Sequence, residues 1–162
     1  MNKLNHLHFT ILWLVSLAVL SGCVASNPPL HSAVISGSTD SVSSLIKSKE
    51  DVNGIDSDGY TPLWWAVAYL SYDKAEILLK NNADQNLLTP SPVICYAATS
   101  DPKNKGYLRM IKLLVKYNAN LNDPICRSGR DTVLESAEFM AKHYKNYDIV
   151  KYLISQGATY GD

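Results

Sequence analysis

The sequence predicts an all-α fold, a solenoid of about four stacked helix-turn-helix repeats joined by short finger loops. The first observation is an internal period. Pro29-Leu30-His31-Ser32-Ala33-Val34 returns as Pro62-Leu63-Trp64-Trp65-Ala66-Val67 at an offset of 33 residues. The same offset carries Leu45-Ile46 onto Leu78-Leu79 and Asp51-Val52-Asn53 onto Asp84-Gln85-Asn86. The second is helical spacing of apolar residues, as in Leu63, Ala66 and Val67, which fall at i, i+3 and i+4. The third is punctuation in register. Thr61-Pro62 offers an N-cap followed by proline at the first helical position. Lys49, Asn82, Asn118 and Gly157 stand at four helix ends, where a left-handed backbone is expected. A helix pair of this kind cannot bury its apolar stripe alone, so the pairs must stack.

The chain has 162 residues, with 15 Lys+Arg against 15 Asp+Glu, 46% apolar residues and 19% charged ones. The length suits one domain. The charge balance excludes an electrostatic nucleic-acid binder, and the apolar fraction excludes a disordered tail. The distribution is uneven: the first 22 residues hold one charged residue, Lys3, and no acid.

Residues 1–22 read as a signal peptide. Met1 to His8 is polar, and Phe9 to Leu20 is apolar apart from Thr10 and Ser16. That run is shorter than the roughly 20 residues of a spanning helix but fits a signal-peptide core. Leu20-Ser21-Gly22-Cys23 follows and resembles a bacterial lipobox. The resemblance implies that Cys23 receives a diacylglyceryl group and that residues 1–22 are removed, giving a lipoprotein anchored to the membrane without spanning it. An uncleaved anchor or an ordinary secretory signal is the alternative. Val24 stands where an Asp would resemble an inner-membrane retention signal, so the resemblance leans towards the outer membrane, facing the periplasm. Residues 23–28 form a tether, and its five residues after Cys23 reach at most about 18 Å.

The repeats are expected at about 29–55, 56–88, 89–124 and 125–162. The first starts at its proline without an incoming finger. The third has Pro92-Val93-Ile94 at its start, and its second helix runs through Gly106 to Val115. The fourth starts at Thr132-Val133-Leu134. Ala33, Ala66, Ala97 and Ala137 are small enough to let paired helices approach closely. From that alanine to the helix-end residue, the first two repeats span 16 residues, the third 21 and the fourth 20. The extra residues, Ser100 to Lys105 and Met140 to Lys145, are expected between the helices of a pair. They are either tolerated loop insertions or a contact surface. Glu135, Ser136 and Glu138 give the last repeat a polar, cap-like face.

Asp58-Gly59-Tyr60-Thr61-Pro62-Leu63 and Asn82-Ala83-Asp84-Gln85-Asn86 carry the fullest motif, and through them the chain resembles ankyrin-repeat proteins, with their 33-residue units and Thr-Pro-Leu-His-x-Ala-Ala core. The resemblance covers about residues 29–162. It implies a protein-binding module whose concave face, built from finger tips and first helices, recognises a partner. Mapped onto this chain, that face shows Ile35, Ser36, Asp58, Tyr60, Ala68, Tyr69, Thr99, Phe139 and Met140. The resemblance implies that His31 braces the neighbouring loop. Trp65 is expected in the core and Trp64 half exposed. With Cys23 committed to lipid, Cys95 and Cys126 remain. In this fold the helix position of Cys95 faces the finger of Cys126, so the two form either a disulfide or two buried free thiols.

Little else offers chemistry. Beyond the leader, His31 and His143 lie in different repeats, and no His, Cys and carboxylate cluster implies a metal. No nucleophile–base arrangement or glycine-rich phosphate loop stands out. Asp56-Ser57-Asp58-Gly59 fails as a calcium loop, because Gly54 occupies the first ligand position, and it reads as a finger turn. No catalytic residue, cofactor or metal is therefore expected. The expected function is a membrane-anchored, non-catalytic protein-interaction module facing the periplasm. Its partner would be a protein such as a periplasmic toxin or effector, which would make the chain an immunity lipoprotein. The alternatives are an envelope scaffold or assembly factor, and an enzyme or small-ligand binder using the third-repeat insertion.

Overall fold

Start signals in the sequence become helix starts in the computed structural model, which describes residues 27–87, 91–122, 126 and 131–161. The leader, and with it the lipidation expected at Cys23, lies outside the described residues. Helix α1 (Pro29–Ser36) opens on its proline, and α3 (Pro62–Ala68) opens on Thr61, whose Oγ1 accepts the Trp64 amide at 3.1 Å. The fourth pair lacks that proline and starts differently. Thr132 Oγ1 accepts the Glu135 amide at 3.2 Å, and the Glu135 carboxylate accepts the Thr132 amide at 2.7 Å. This reciprocal capping box satisfies two orphan donors at the start of α7 (Val133–Tyr144).

The remaining helices are α2 (Thr39–Lys47), α4 (Tyr72–Lys80), α5 (Val93–Thr99), α6 (Lys105–Lys116) and α8 (Asp148–Ser155). They form four pairs. Helices α1, α3, α5 and α7 pack side by side as a first row, and α2, α4, α6 and α8 form a second row behind it. Among the described residues there is no strand, only an isolated antiparallel bridge between Cys126 and Asp131. The core is a seam between the rows. Leu30, Leu63, Ile94 and Leu134 enter it from the first row, and Val42, Leu78, Leu114 and Leu153 from the second, all buried. Ala33, Ala66, Ala97 and Ala137 are buried beside them, which brings the rows close.

All four predicted helix-end positions have left-handed backbone: φ is 66° at Lys49, 63° at Asn82, 63° at Asn118 and 86° at Gly157. A Cβ in that region costs roughly 1–2 kcal/mol, which Asn tolerates and Gly avoids. Lys49→Gly is therefore expected to raise stability by about 0.5–1 kcal/mol after the entropy of the freer unfolded chain is deducted. A thermal melt of the variant against the parent checks this.

The repeated Asp-x-Asn and Asn-x-Asn triplets have a structural role that joins one unit to the next. Within a turn, the Asp51, Asp84 and Asn120 side chains accept the amides of Asn53, Asn86 and Asn122 at 2.9–3.0 Å. The asparagines then reach forward. Asn53 Oδ1 accepts the Asp84 amide at 2.8 Å, Asn86 Oδ1 the Asn120 amide at 3.3 Å, and Asn122 Oδ1 the Thr159 amide at 2.8 Å. Asn53 and Asn122 also donate through Nδ2 to the carbonyls of Asn82 and Gly157. The result is a ladder of carboxamides along the stack.

Three expectations need correction. The fourth repeat's extra residues do not form a separate connection. They lengthen α7 to 12 residues and end it at Lys145, where φ is 53°. The third repeat's extra residues do form a loop, and its Pro102 carbonyl accepts the Asn146 Nδ2 at 2.7 Å. The Lys103 ammonium also lies 5.6 Å from the Tyr144 ring centre, so the two extensions brace one another. Ser136 is not part of a polar cap: it is fully buried, because it lies on the side of α7 that packs in the stack. Trp65 is half-buried instead of core, because its indole is held in the finger as described next.

Candidate functional site

The finger between α2 and α3 is built around Asp56, which is 6% exposed. Its Oδ1 accepts the amides of Asp58 at 3.0 Å and Tyr60 at 2.9 Å, and its Oδ2 accepts the Trp65 indole N–H at 2.7 Å. The Asp56 amide closes the loop onto the Tyr60 carbonyl at 3.0 Å, and Gly59 supplies the turn with φ 84°. Burial opposes the charge on Asp56. The hydrogen bonds from Tyr60, Trp65 and Asp58, with His31 nearby, outweigh that and hold its carboxyl below the ordinary carboxylate range. His31, 1% exposed on α1, reaches the Tyr60 carbonyl through Nε2 at 2.9 Å. The first repeat thus braces the finger of the second.

That finger orders an aromatic cluster. Tyr60 stacks on Trp64 with ring centres 3.9 Å apart, and Trp64 meets Tyr96 of the next repeat at 4.8 Å. Tyr96 in turn lies 6.4 Å from Tyr107. Burial, with the Tyr107 hydroxyl beside it, pushes the Tyr96 hydroxyl above the ordinary tyrosine range. A second arm runs outwards. Trp65 stacks on Tyr69 at 5.8 Å and an interplanar angle of 17°, and Tyr69 is 57% exposed. The indole is locked by Asp56, so the Trp65–Tyr69 pair presents a rigid aromatic surface at little conformational cost.

Of the residues mapped to a partner-binding face, Tyr60 and Tyr69 belong to this cluster, joined through Trp65. Asp58 is exposed on the same finger. Phe139, 55% exposed on α7, is the other large apolar side chain presented by the first row. Ser36 is exposed at the end of α1, whereas Ile35, Ala68 and Met140 are half-buried. Thr99 is half-buried, with its hydroxyl donated to the Cys95 carbonyl at 2.9 Å. Sequence reasoning did not place Trp65 here. Its i, i+4 spacing from Tyr69 was the available signal.

Cys95, at the start of α5, is joined to Cys126 by a disulfide with Cα atoms 5.3 Å apart. Cys126 also pairs with Asp131 through two backbone hydrogen bonds of 3.1 and 3.4 Å, so the bond fastens that finger to the third repeat. Among the described residues no group of three or more His, Cys, Asp or Glu is placed to hold a metal. No helix among them is long and apolar enough to cross a membrane.

Two rows of short helices, turned back at left-handed residues, with the finger at residues 48–61 braced by His31 and Cys126 tied to Cys95, define a helical-repeat protein. The family model for ankyrin repeats (3 copies) matches residues 5–89, just over half of the chain, and the chain belongs to that family. The third and fourth pairs lie beyond the matched span and continue the same stack. The tyrosine-protein kinase HTK16 of Hydra vulgaris is 25% identical over 138 residues, which is 85% of this chain and 17% of that protein. The chain thus spans less than a fifth of that relative. Ankyrin repeats make this a protein–protein interaction module, a fold that is typically non-catalytic.

Proposed function

We propose that the chain is a lipid-anchored ankyrin module of the bacterial envelope, held by Cys23 and facing the periplasm, where it binds and neutralises an envelope-targeting toxin or effector. The rigid Trp65–Tyr69 pair on the first row carries the binding part of this reading, because exposed aromatic side chains held in place are typical interface anchors. The Cys95–Cys126 disulfide supports an oxidising compartment. Anchoring would concentrate the module where such a toxin acts.

Capture from envelope extracts with the full chain is expected to recover one stoichiometric protein. A deletion strain is expected to lose survival under attack by its siblings. Unchanged survival would sink the immunity reading, and a partner native to the undisturbed envelope would make the chain a scaffold. Against the recovered partner, Tyr69→Ala and Phe139→Ala are each expected to weaken binding about ten-fold or more, with the melting temperature unchanged. Titration calorimetry and a thermal melt check the pair of expectations.

A further inference from the structure

The even charge of the whole chain hides a division between the two rows. The second-row helices carry eight Lys or Arg against four Asp or Glu, and half of those cations stand on α6, which has no acid. The first-row helices carry Lys142 against Glu135 and Glu138, and the finger at residues 48–61 has four acids against Lys49. On α6, Lys105, Arg109, Lys112 and Lys116 follow at i, i+4, i+7 and i+11, one exposed stripe opposite the buried Met110, Ile111 and Leu114. The stripe is bedded on tyrosines. The Arg109 guanidinium lies 4.1 Å from the Tyr72 ring centre, the Lys112 ammonium 5.3 Å from Tyr152, and the Lys116 ammonium 5.3 Å from Tyr117. Glu76 engages Lys116 at 3.0 Å and Lys80 at 3.6 Å, and Asp73 lines the same groove as Arg109 and Lys112, so the four cations of the stripe face two acids and keep a positive excess.

We propose that this outer face of α6 docks on an anionic lipid surface and thereby turns the first row, with Trp65, Tyr69 and Phe139, away from the bilayer. The inference rests on the anchored reading in one respect: five residues separate Cys23 from Pro29, so a lipid on Cys23 would hold the stack within about 18 Å of the headgroups. At that distance, a basic ridge on one row and acidic groups on the other give the tethered domain a preferred orientation. Cations near an anionic leaflet are attracted within a Debye length, and tyrosine rings suit the headgroup zone.

The test uses the full-length protein on vesicles of phosphatidylcholine, with and without phosphatidylglycerol, and amine acetylation read by mass spectrometry. Labelling of Lys105 and Lys112 is expected to fall about five-fold on the anionic vesicles. It should return in high salt, and Lys49 and Lys142 should label alike throughout. Equal labelling of the ridge on both vesicles overturns the proposal. So does a ridge that is shielded by an acidic envelope protein but not by anionic lipid. In the surface variant Lys105→Gln/Arg109→Gln/Lys112→Gln the remaining ridge amine, Lys116, should label equally on the two vesicles, and a difference that persists there also overturns the proposal. A chain that fails to float with neutral vesicles overturns the lipid anchor instead. Its flotation with anionic vesicles then reads the ridge alone: capture that the triple substitution abolishes retains the proposal, and no capture overturns it.

Discussion

Replacing Cys95 and Cys126 together by alanine is expected to lower the stability of the folded stack by roughly 3–4 kcal/mol. The sequence separation of 31 sets that figure through the loop-closure entropy of the unfolded chain. Both cysteines are buried, at 4% and 0% exposure, so a small packing loss adds to it. The loss should be local. In a solenoid each unit is stabilised by its neighbours, and this bond fastens the finger of the fourth repeat to the third. Amide exchange is therefore expected to accelerate in α7 and α8 more than in α1 to α4. Denaturant titration of the oxidised parent against the variant measures the total. Two free sulfhydryls in the unfolded, unreduced mature protein, with Cys23 lipidated, would remove the basis of the expectation.

Asp56→Ala is the second large effect, a loss of about 2–3 kcal/mol. The substitution leaves the Asp58 and Tyr60 amides and the Trp65 indole N–H without their acceptor. It also releases the indole, so partner affinity falls with stability. Asp56→Asn separates shape from charge, because its amide nitrogen would oppose the indole donor while its oxygen still serves the two amides. The pH dependence has a definite sign. The folded carboxyl titrates below the unfolded one, so ionised Asp56 favours the fold. Its contribution is fully present above the ordinary value of about 3.9 and is lost as pH falls through the lower folded value. The acid limb of the stability curve should flatten in both variants, as tryptophan fluorescence during denaturant titration will read.

The parts of this architecture that depend on neighbours in sequence were legible. A Thr-Pro start and four left-handed stops are each decided within a few residues, and each is found at the predicted position. The His31 brace was legible only through resemblance, since its partner is 29 residues away. Contacts between units were not legible. Ser136 reads as polar and is buried by what packs on α7. Within one unit, Trp65 reads as core and is instead held half-buried in the finger by Asp56, nine residues earlier. The division of charge between rows was hidden for a different reason: composition averages over a helix pair, whereas the pair places its two helices on opposite sides of the stack.

The ladder of Asn53, Asn86 and Asn122 also governs where this chain can change its length. Each carboxamide spans a fixed distance to the turn of the next unit, so a residue added to a turn there would displace both ends of the bond. Among the described residues, the opposite end of each pair, where the first helix hands over to the second, has no such ladder. The two largest departures from the even period lie there, one as the loop before α6 and one as the added turns of α7. They meet through Pro102 and Asn146, so growth in one unit is accommodated by growth in its neighbour. Most of the variation in length is thereby channelled to one edge of the molecule, while the stretches from Lys49 to Ala66, Asn82 to Ala97 and Asn118 to Ala137 vary less, at 17, 15 and 19 positions.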